Sequence, residues 1–359
     1  MDKTQPILVV GGAGYIGSHV VRQLGEAGYT VIVYDNCSTG SPKALLNGTL
    51  VVGDLSDAEH LRNLFREHPF QAVFHFAGRL VVPESVRYPL AYYQSNTSNT
   101  VNLLRCCVEF GVKQFIFSST AAVYGEPGKN PVSESTQPCP INPYGRSKLA
   151  TEWLIQDCCK ATGLRSVILR YFNVSGADPI GRQGLRNPEA THLIRAACNA
   201  LLKLSEQVTI FGTDFPTPDG TAIRDYIHVE DLAAAHIAAL QYLEQEQASQ
   251  TLILNCGYGH GYSVHEIIDA VRRVSGQDYT VIKGERRSGD PACVIADVER
   301  IHRELDWTSR YDSIDTIVAT ALRWDLLLIL QEKKIPRNHP FWTLRRRLDS
   351  LLSQPMALF

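Results

Sequence analysis

The stretch Asn142-Pro143-Tyr144-Gly145-Arg146-Ser147-Lys148 holds the residue types and the spacing that could do chemistry. Asparagine is a good helix N-cap and proline suits the first helical position, so a helix is predicted to begin at Pro143 with Tyr144 and Lys148 four residues apart on one face. A phenol then lies beside an ammonium. A nearby cation favours the phenolate, and bringing a tyrosine from its ordinary value of about 10 to about 7 takes about 4 kcal/mol of differential interaction, which makes a general base at neutral pH. The same spacing also occurs on surface helices whose tyrosine only packs and whose lysine is solvated. The pair therefore gains meaning only with a nucleotide site and a third polar group.

Both are present upstream. Pro6 to Val10 is an unbroken apolar run of strand length, the pattern of a strand covered on both faces of a parallel sheet. Gly11-Gly12-Ala13-Gly14-Tyr15-Ile16-Gly17 follows, and Ser18 to Ala27 reads as a helix ended by Gly28. Gly11, Gly14 and Gly17 let the backbone turn tightly and approach a pyrophosphate on the helix N-terminus. Thr30 to Tyr34 reads as a second strand ending at Asp35, about 20 residues past the glycines, where a doubly wound fold places a ribose-binding carboxylate. Its charge repels a 2′-phosphate, so NAD is preferred to NADP. Leu50 to Gly53 is a third strand, closing on Asp54-Leu55 at the adenine border, and Asp57 to Arg66 a helix. Ala72 to Phe76 is a fourth strand that delivers Phe76-Ala77-Gly78 to the carboxyl edge of the sheet. After a helical region from Pro89 to Phe110, Gln114 to Ser118 is a fifth strand, and Thr120 just past it is the third polar group. Serine and threonine at strand ends also cap backbone groups, which is the plainer role for Thr120.

Arg165 to Tyr171 is a sixth strand, after which the alternation loosens. Helices are expected over 188–204, 230–243 and 263–274, and strands over 208–211, 226–229, 252–256 and 280–283. The fold class is α/β, a Rossmann-type doubly wound parallel sheet with a smaller C-terminal substrate-binding lobe. Residues 1–180 are expected to form the nucleotide-binding domain, with later segments returning to it, 181–330 the lobe, and 331–359 a C-terminal extension. Within the extension, Phe341 to Leu352 has the pattern of an amphipathic basic helix, suited either to a membrane surface or, more simply, to docking on the protein's own body.

The chain has 359 residues, 35 Lys plus Arg against 37 Asp plus Glu, and a net charge of -2. That balance argues against a nucleic-acid or membrane partner held by bulk charge, and for a small substrate. Nine cysteines, without a Cys-x-x-Cys, suggest neither a disulfide framework nor a zinc site. With no signal-like apolar segment at the amino terminus and no span-length apolar run, a cytoplasmic protein without an integral membrane segment is expected.

With the glycine turn, Asp35, Thr120, Tyr144 and Lys148 in place, the chain resembles the extended short-chain dehydrogenase/reductase superfamily, and within it the UDP-glucose 4-epimerases. The resemblance also rests on His75-Phe76-Ala77-Gly78, Phe115 to Gly125, Leu169 to Asn173 and Arg224-Asp225-Tyr226-Ile227-His228-Val229. It implies reversible C4 epimerisation of UDP-glucose and UDP-galactose through a transient 4-keto sugar, with NAD as cofactor. It puts Thr120, Tyr144 and Lys148 in the catalytic positions. Tyr15, Ile16, Asp35, Asn36, Asp54, Leu55, Phe76, Ala77, Gly78, Ser95 and Phe172 fall where the family lines NAD. Asn173, Thr191, His192, Leu193, Arg224, Arg287 and Asp290 fall where it lines the UDP-sugar. The family's dimers imply a homodimer, with 89–110 and 142–162 as candidate helical surfaces.

Some positions depart from the family pattern. Val10 replaces a threonine before the glycines, Leu80 replaces a cofactor-contacting lysine, and Thr191-His192 replace paired asparagines. Val294 stands at a pocket wall where, by the resemblance, bulk limits substrates to non-acetylated sugars and a small residue would admit UDP-N-acetylhexosamines; 4-epimerisation of another UDP-sugar (UDP-N-acetylhexosamine, UDP-glucuronate or UDP-pentose) is the alternative activity. Ala121-Ala122 stand where related 4,6-dehydratases carry Asp-Glu, which removes the acid that dehydration needs. A net dehydrogenase would accumulate NADH. A non-catalytic sensor of NAD and UDP-sugars, the alternative from another class, has no need of all three of Thr120, Tyr144 and Lys148.

Overall fold

The computed structural model describes residues 5–128, 131–245, 250–287, 289–332, 335–336 and 338–353. Seven strands build the central sheet: β1 (Ile7–Val10), β2 (Val31–Asp35), β3 (Thr49–Val52), β4 (Ala72–His75), β5 (Gln114–Ser118), β6 (Arg165–Tyr171) and β7 (Thr251–Cys256). All pair in parallel, in the order β7-β6-β5-β4-β1-β2-β3. The order reverses at β1, which lies between β2 and β4 with Ile7 opposite both Val31 and Ala72. Connections leaving β1 and β4 therefore diverge, and a crevice opens at their carboxyl ends.

Alternation along the strands supplies two cores. Ile7 and Val9 face Val20, Val21 and Leu24 of the Tyr15–Glu26 helix and Leu232, Leu240 and Leu243 of the Val229–Glu244 helix. Leu8 and Val10 face Leu61, Phe65, Leu103, Cys107, Ile155 and Cys159 from three helices on the other side. Both faces are covered, which is why the strands read as unbroken apolar runs.

A third core unites the Leu193–Leu201, Val264–Ser275, Ile314–Glu332 and Pro340–Ser353 helices through Ile194, Leu201, Ile267, Val271, Ile317, Leu322, Leu344 and Leu348. Short strands join this lobe to the main sheet: Asn173–Ser175 pairs with Tyr226–His228, and Ile223–Arg224 lies between Tyr262–Ser263 and Cys293–Val294. At two or three residues each, they are too short to show a period in sequence.

Two helical expectations differ in detail. The region after Pro89 is not one helix but Pro89–Tyr92, a π-helical segment Tyr93–Ser98, and Asn99–Glu109. The backbone oxygen of Asn96 accepts hydroxyl donors from Thr100 at 2.7 Å and Thr151 at 2.9 Å, which competes with the regular ladder. The helix expected over 188–204 begins only at Leu193, because His192 is extended and caps it by accepting from the Arg195 N–H.

The extension docks on the protein itself. Leu344 and Leu348 are buried, Arg347 donates to the carbonyls of Val274 (2.8 Å) and Arg273 (3.0 Å) at the end of the Val264–Ser275 helix, and Arg323 pairs with Asp349 at 2.5 Å. An arginine satisfying the last carbonyls of a neighbouring helix also suits that helix's dipole. Part of the expected extension, including 354–359, lies outside the described residues. Among the described residues no helix is long and apolar enough to cross a membrane. Leu348→Ala should cost about 2–5 kcal/mol as a buried leucine truncation, and differential scanning calorimetry should show a lower Tm; an unchanged Tm would contradict the docking.

Candidate active site

The glycines divide their work at the end of β1. Gly11 has φ +79, and a Cβ there would lie 2.5 Å from the Ala77 nitrogen. At Gly17 a Cβ would meet the Gly11 oxygen at 2.3 Å, so this glycine lets the helix seat against the turn. A Cβ at Gly14 would meet only the Gly11 oxygen, at 3.2 Å, so space remains over the start of the Tyr15–Glu26 helix. No side chain caps that helix start. The turn is thus a cradle of backbone N–H groups sized for a phosphate.

Asp35 ends β2 beside this cradle. Its Oδ2 accepts from the Ala13 N–H at 2.9 Å and its Oδ1 from the Cys37 N–H at 2.8 Å, while burial pushes its pKa upward against those bonds. Asn36 donates to Asp54 at 2.6 Å, and hydrogen bonds from Ser56 and then Asn36 hold Asp54 below the usual carboxylate range. Leu55 is buried and its carbonyl accepts from Asn102 at 2.9 Å. The N–H groups of Phe76 and Ala77 donate to the Val10 carbonyl at 2.8 and 3.2 Å, which closes the opposite lip, with Gly78 next in the chain. The Tyr15 hydroxyl points away and donates to the Gly176 carbonyl at 2.6 Å, so Tyr15 and Ile16, whose side chain packs on the first core, offer the cradle their backbone. Ser95 lies in the π-helical segment, and Phe172 is buried with Val123, Leu149 and Val294.

The Pro143–Thr162 helix starts as the sequence predicts. Asn142 accepts from the Gly145 N–H at 2.9 Å, with proline in the first turn. Tyr144 is 9% exposed, its ring edge-on to Tyr92 with centroids 6.4 Å apart. A hydrogen bond from the Thr120 side chain reaches the Tyr144 phenol, and Thr120 also accepts from the Ala122 N–H at 3.1 Å, which is the backbone cap expected of it. Lys148 Nζ donates to the Ser118 carbonyl at 2.5 Å and lies 4.2 Å from the centre of the Phe117 ring.

The electrostatics correct one expectation. Burial, followed by the neighbouring Tyr171, raises the Tyr144 pKa, and the Thr120 hydrogen bond opposes the rise. Lys148 does not depress the phenol as the helical spacing suggests. Its nitrogen is directed at Ser118 and Phe117, and burial takes its own pKa down to about 7, with Glu152 opposing. At neutral pH the amine is close to half protonated. The site therefore holds a reluctant acid next to a base that exchanges a proton readily.

The residues expected to line a UDP-sugar sit on the short strands and the lobe. Arg224 pairs with Asp290 at 2.7 Å rather than with Asp225 or Asp219, and donates to its neighbour's carbonyl at 2.8 Å. Asp225 instead accepts from the N–H groups of Tyr258 and Gly259, and Asp219 from Thr221 and Ser263. Val294 pairs in register with Arg224, and the Arg287 guanidinium lies 3.8 Å from the centre of the Phe211 ring. Asn173 pairs with Tyr226 at the lobe junction. His192 is held near 4 by burial and then by Arg195, so it is neutral at pH 7; Thr191 before it is exposed and Leu193 begins the helix.

Sequence reasoning missed Asn96 and Glu152. Asn96 Oδ1 accepts from the Arg79 N–H at 2.7 Å, and its Nδ2 donates to the Arg79 carbonyl and the Ser147 hydroxyl, both at 3.0 Å, which ties the Gly78 loop to the Tyr144 helix. Nothing in composition or period marks it. Glu152 continues the series Tyr144, Lys148, Glu152 at intervals of four, a signal the sequence does carry.

Residues 7–257 match the model of the NAD dependent epimerase/dehydratase family. A UDP-glucose 4-epimerase of Azospirillum brasilense is 51% identical over 320 residues, covering 89% of this chain and 91% of that one. Among solved structures, a UDP-glucose 4-epimerase from Brucella ovis in complex with NAD aligns with a TM-score of 0.85 at 43% identity, covering 89% of this chain and 97% of its own. Another, from Bifidobacterium longum in complex with NAD+ and UDP, aligns at 0.84 and 37% identity, covering 89% and 98%.

The lowered Lys148 pKa makes a stability prediction. In the folded protein the group titrates near 7 and when unfolded near 10.5, so burying the protonated form costs stability below about pH 7, and the cost is relieved as the pH rises toward 10.5. Lys148→Met should gain about 1–3 kcal/mol over the parent near pH 6, and the gain should shrink toward pH 10. Urea unfolding at several pH values checks it; a difference independent of pH would contradict it.

Proposed function

The chain belongs to the NAD dependent epimerase/dehydratase family, and on that premise we propose that it interconverts UDP-glucose and UDP-galactose by inverting C4 through a transient 4-keto sugar. The observation that carries this reading is the meeting of Thr120, Tyr144 and Lys148 at the carboxyl edge of the sheet, across from the glycine cradle. The cradle, Asp35, Asn36, Asp54, Leu55, Phe76 to Gly78, Ser95, Lys148 and Phe172 are the residues that would hold NAD, and the space left at Gly14 fits its pyrophosphate. When bound, NAD supplies the hydride acceptor and returns the hydride.

Tyr144 takes the proton of the C4 hydroxyl and later gives it back, with Thr120 holding the same oxygen. Burial makes the phenol a strong proton holder, and the Thr120 hydrogen bond is what favours phenolate when the proton must leave, with the Lys148 amine, titrating near 7 one turn on, able to exchange a proton. Arg224, Arg287 and the helix starting at Leu193 grip the diphosphate, while Asn173 and Val294 border the sugar. A firm grip on the nucleotide with fewer contacts to the sugar lets the keto sugar turn about its tether and present its other face. Ala121 and Ala122, in the turn capped by Thr120, offer no acid for a competing dehydration.

The same reading assigns the protein to the cytoplasm, a reducing compartment that suits nine free cysteines. It also makes the protein a homodimer. Leu90 is 83% and Trp153 57% exposed, and Val108 is exposed too, so large apolar side chains face outward on both segments expected to dimerise. Trp153→Glu should convert a dimer to monomer in sedimentation velocity; a parent that sediments as a monomer would refute the assembly.

Tyr144→Phe should lower kcat by a factor of about 10²–10⁴ while leaving NAD and UDP affinity intact by calorimetry. Near-normal turnover would sink the assignment. Parallel incubations with UDP-galactose, UDP-N-acetylgalactosamine, UDP-glucuronate and UDP-xylose should show the first as the best substrate.

A further inference from the structure

Glu152 lies one turn beyond Lys148 on the helix that carries Tyr144, and it is fully buried. Arg170, near the end of β6, meets it through Nη2 at 2.6 Å, and its Nε lies 3.1 and 3.2 Å from the two carboxylate oxygens. The same carboxylate accepts the hydroxyl of Ser119, the residue before Thr120. Arg170 Nη1 donates to the Tyr124 hydroxyl at 3.0 Å, and that hydroxyl donates to Asn255 on β7 at 2.7 Å. Three chain segments thus converge on one carboxylate: the β5 end carrying Thr120, the Tyr144 helix, and the β6 end leading to Phe172 and Asn173.

Stability alone explains this arrangement poorly. The desolvation of a buried ion pair offsets much of its attraction, and well-packed apolar residues of the same volume often hold a fold as well. The carboxylate, however, also acts on Lys148. The groups around that amine are Glu152 from its own helix, Ser118 and the Phe117 ring from β5, and His75 from β4. His75 is held near 3 by burial and then by Lys148, so it stays neutral. Glu152 is the one carboxylate in this set, and it supports the ammonium against burial.

We propose that Glu152, held by Arg170, is a positioning residue, which locks the Ser119-Thr120 strand end to the Tyr144 helix and supplies the carboxylate facing Lys148. The proposal rests on the epimerase reading above for its kinetic consequence, and on the helical spacing of four from Lys148 for its effect on that amine. Because Glu152→Gln alone would strand a buried arginine, the working variant is Glu152→Gln/Arg170→Met, which removes both charges together.

Two readouts apply to it, both compared with the parent: steady-state conversion of UDP-galactose, and competitive trace acetylation of Lys148 across pH, quantified by peptide mass spectrometry. The double variant should lose about tenfold or more in kcat with KM within about twofold, and its Lys148 midpoint should fall by about half a pH unit or more. A folded double variant with kcat near the parent's, or with an unmoved midpoint, overturns the proposal. Should circular dichroism show that it does not fold, Ser119→Ala, which cuts only the hydroxyl link, takes the same kcat criterion. A parent that converts no UDP-hexose sinks the epimerase reading instead, and the Lys148 midpoint still decides whether Glu152 acts on the amine.

Discussion

Burial of the Lys148 ammonium is the constraint on which the site depends. A lysine taken out of water loses the hydration that keeps it charged, and here the compensation is one carbonyl, one aromatic face and a carboxylate a turn away. That partial compensation leaves the amine near half protonation at neutral pH. Full compensation would fix a permanent cation, and none would leave an inert amine. The same burial raises Tyr144, so the two groups are pushed apart, the phenol keeping its proton while the amine gives its own up readily.

The sheet makes that burial possible. Because strand order reverses at β1, the ends of β1, β2 and β4 form one wall of a crevice and the β5 and β6 ends the next. The Tyr144 helix packs behind β5 and β6, so its first turns arrive beside Thr120 without any loop having to hold them. Asn96 and Glu152 then lock neighbouring segments together, one through the Gly78 loop and the other through Ser119. Groups placed by strands and helices keep their spacing better than groups on loops.

Much of this was legible in the chain because the relevant signals are local. The apolar runs, the glycine spacing, Asp35 at its distance and the Asn142-Pro143 start each involve residues close in sequence, and each element appears where expected to within a few residues. What was hidden depends on distant partners. The two- and three-residue strands around Arg224 exist only because they pair with one another. The π-helical turn at Tyr93–Ser98 depends on Thr151, some fifty residues on. The helical spacing of Tyr144 and Lys148 is local and legible, but its electrostatic consequence is not, since the direction of the lysine is set by Ser118 and Phe117 on another element.

The most direct test of the central claim follows the hydrogen at C4. UDP-glucose carrying deuterium at C4 should give UDP-galactose that retains the deuterium at C4 in ordinary water, because the hydrogen leaves as hydride and returns to the same sugar while only the hydroxyl proton passes through Tyr144. Mass spectrometry and proton NMR of the product read this directly. Loss of deuterium to solvent would contradict the account, since it would mean that C4 is inverted by proton exchange rather than by transient oxidation.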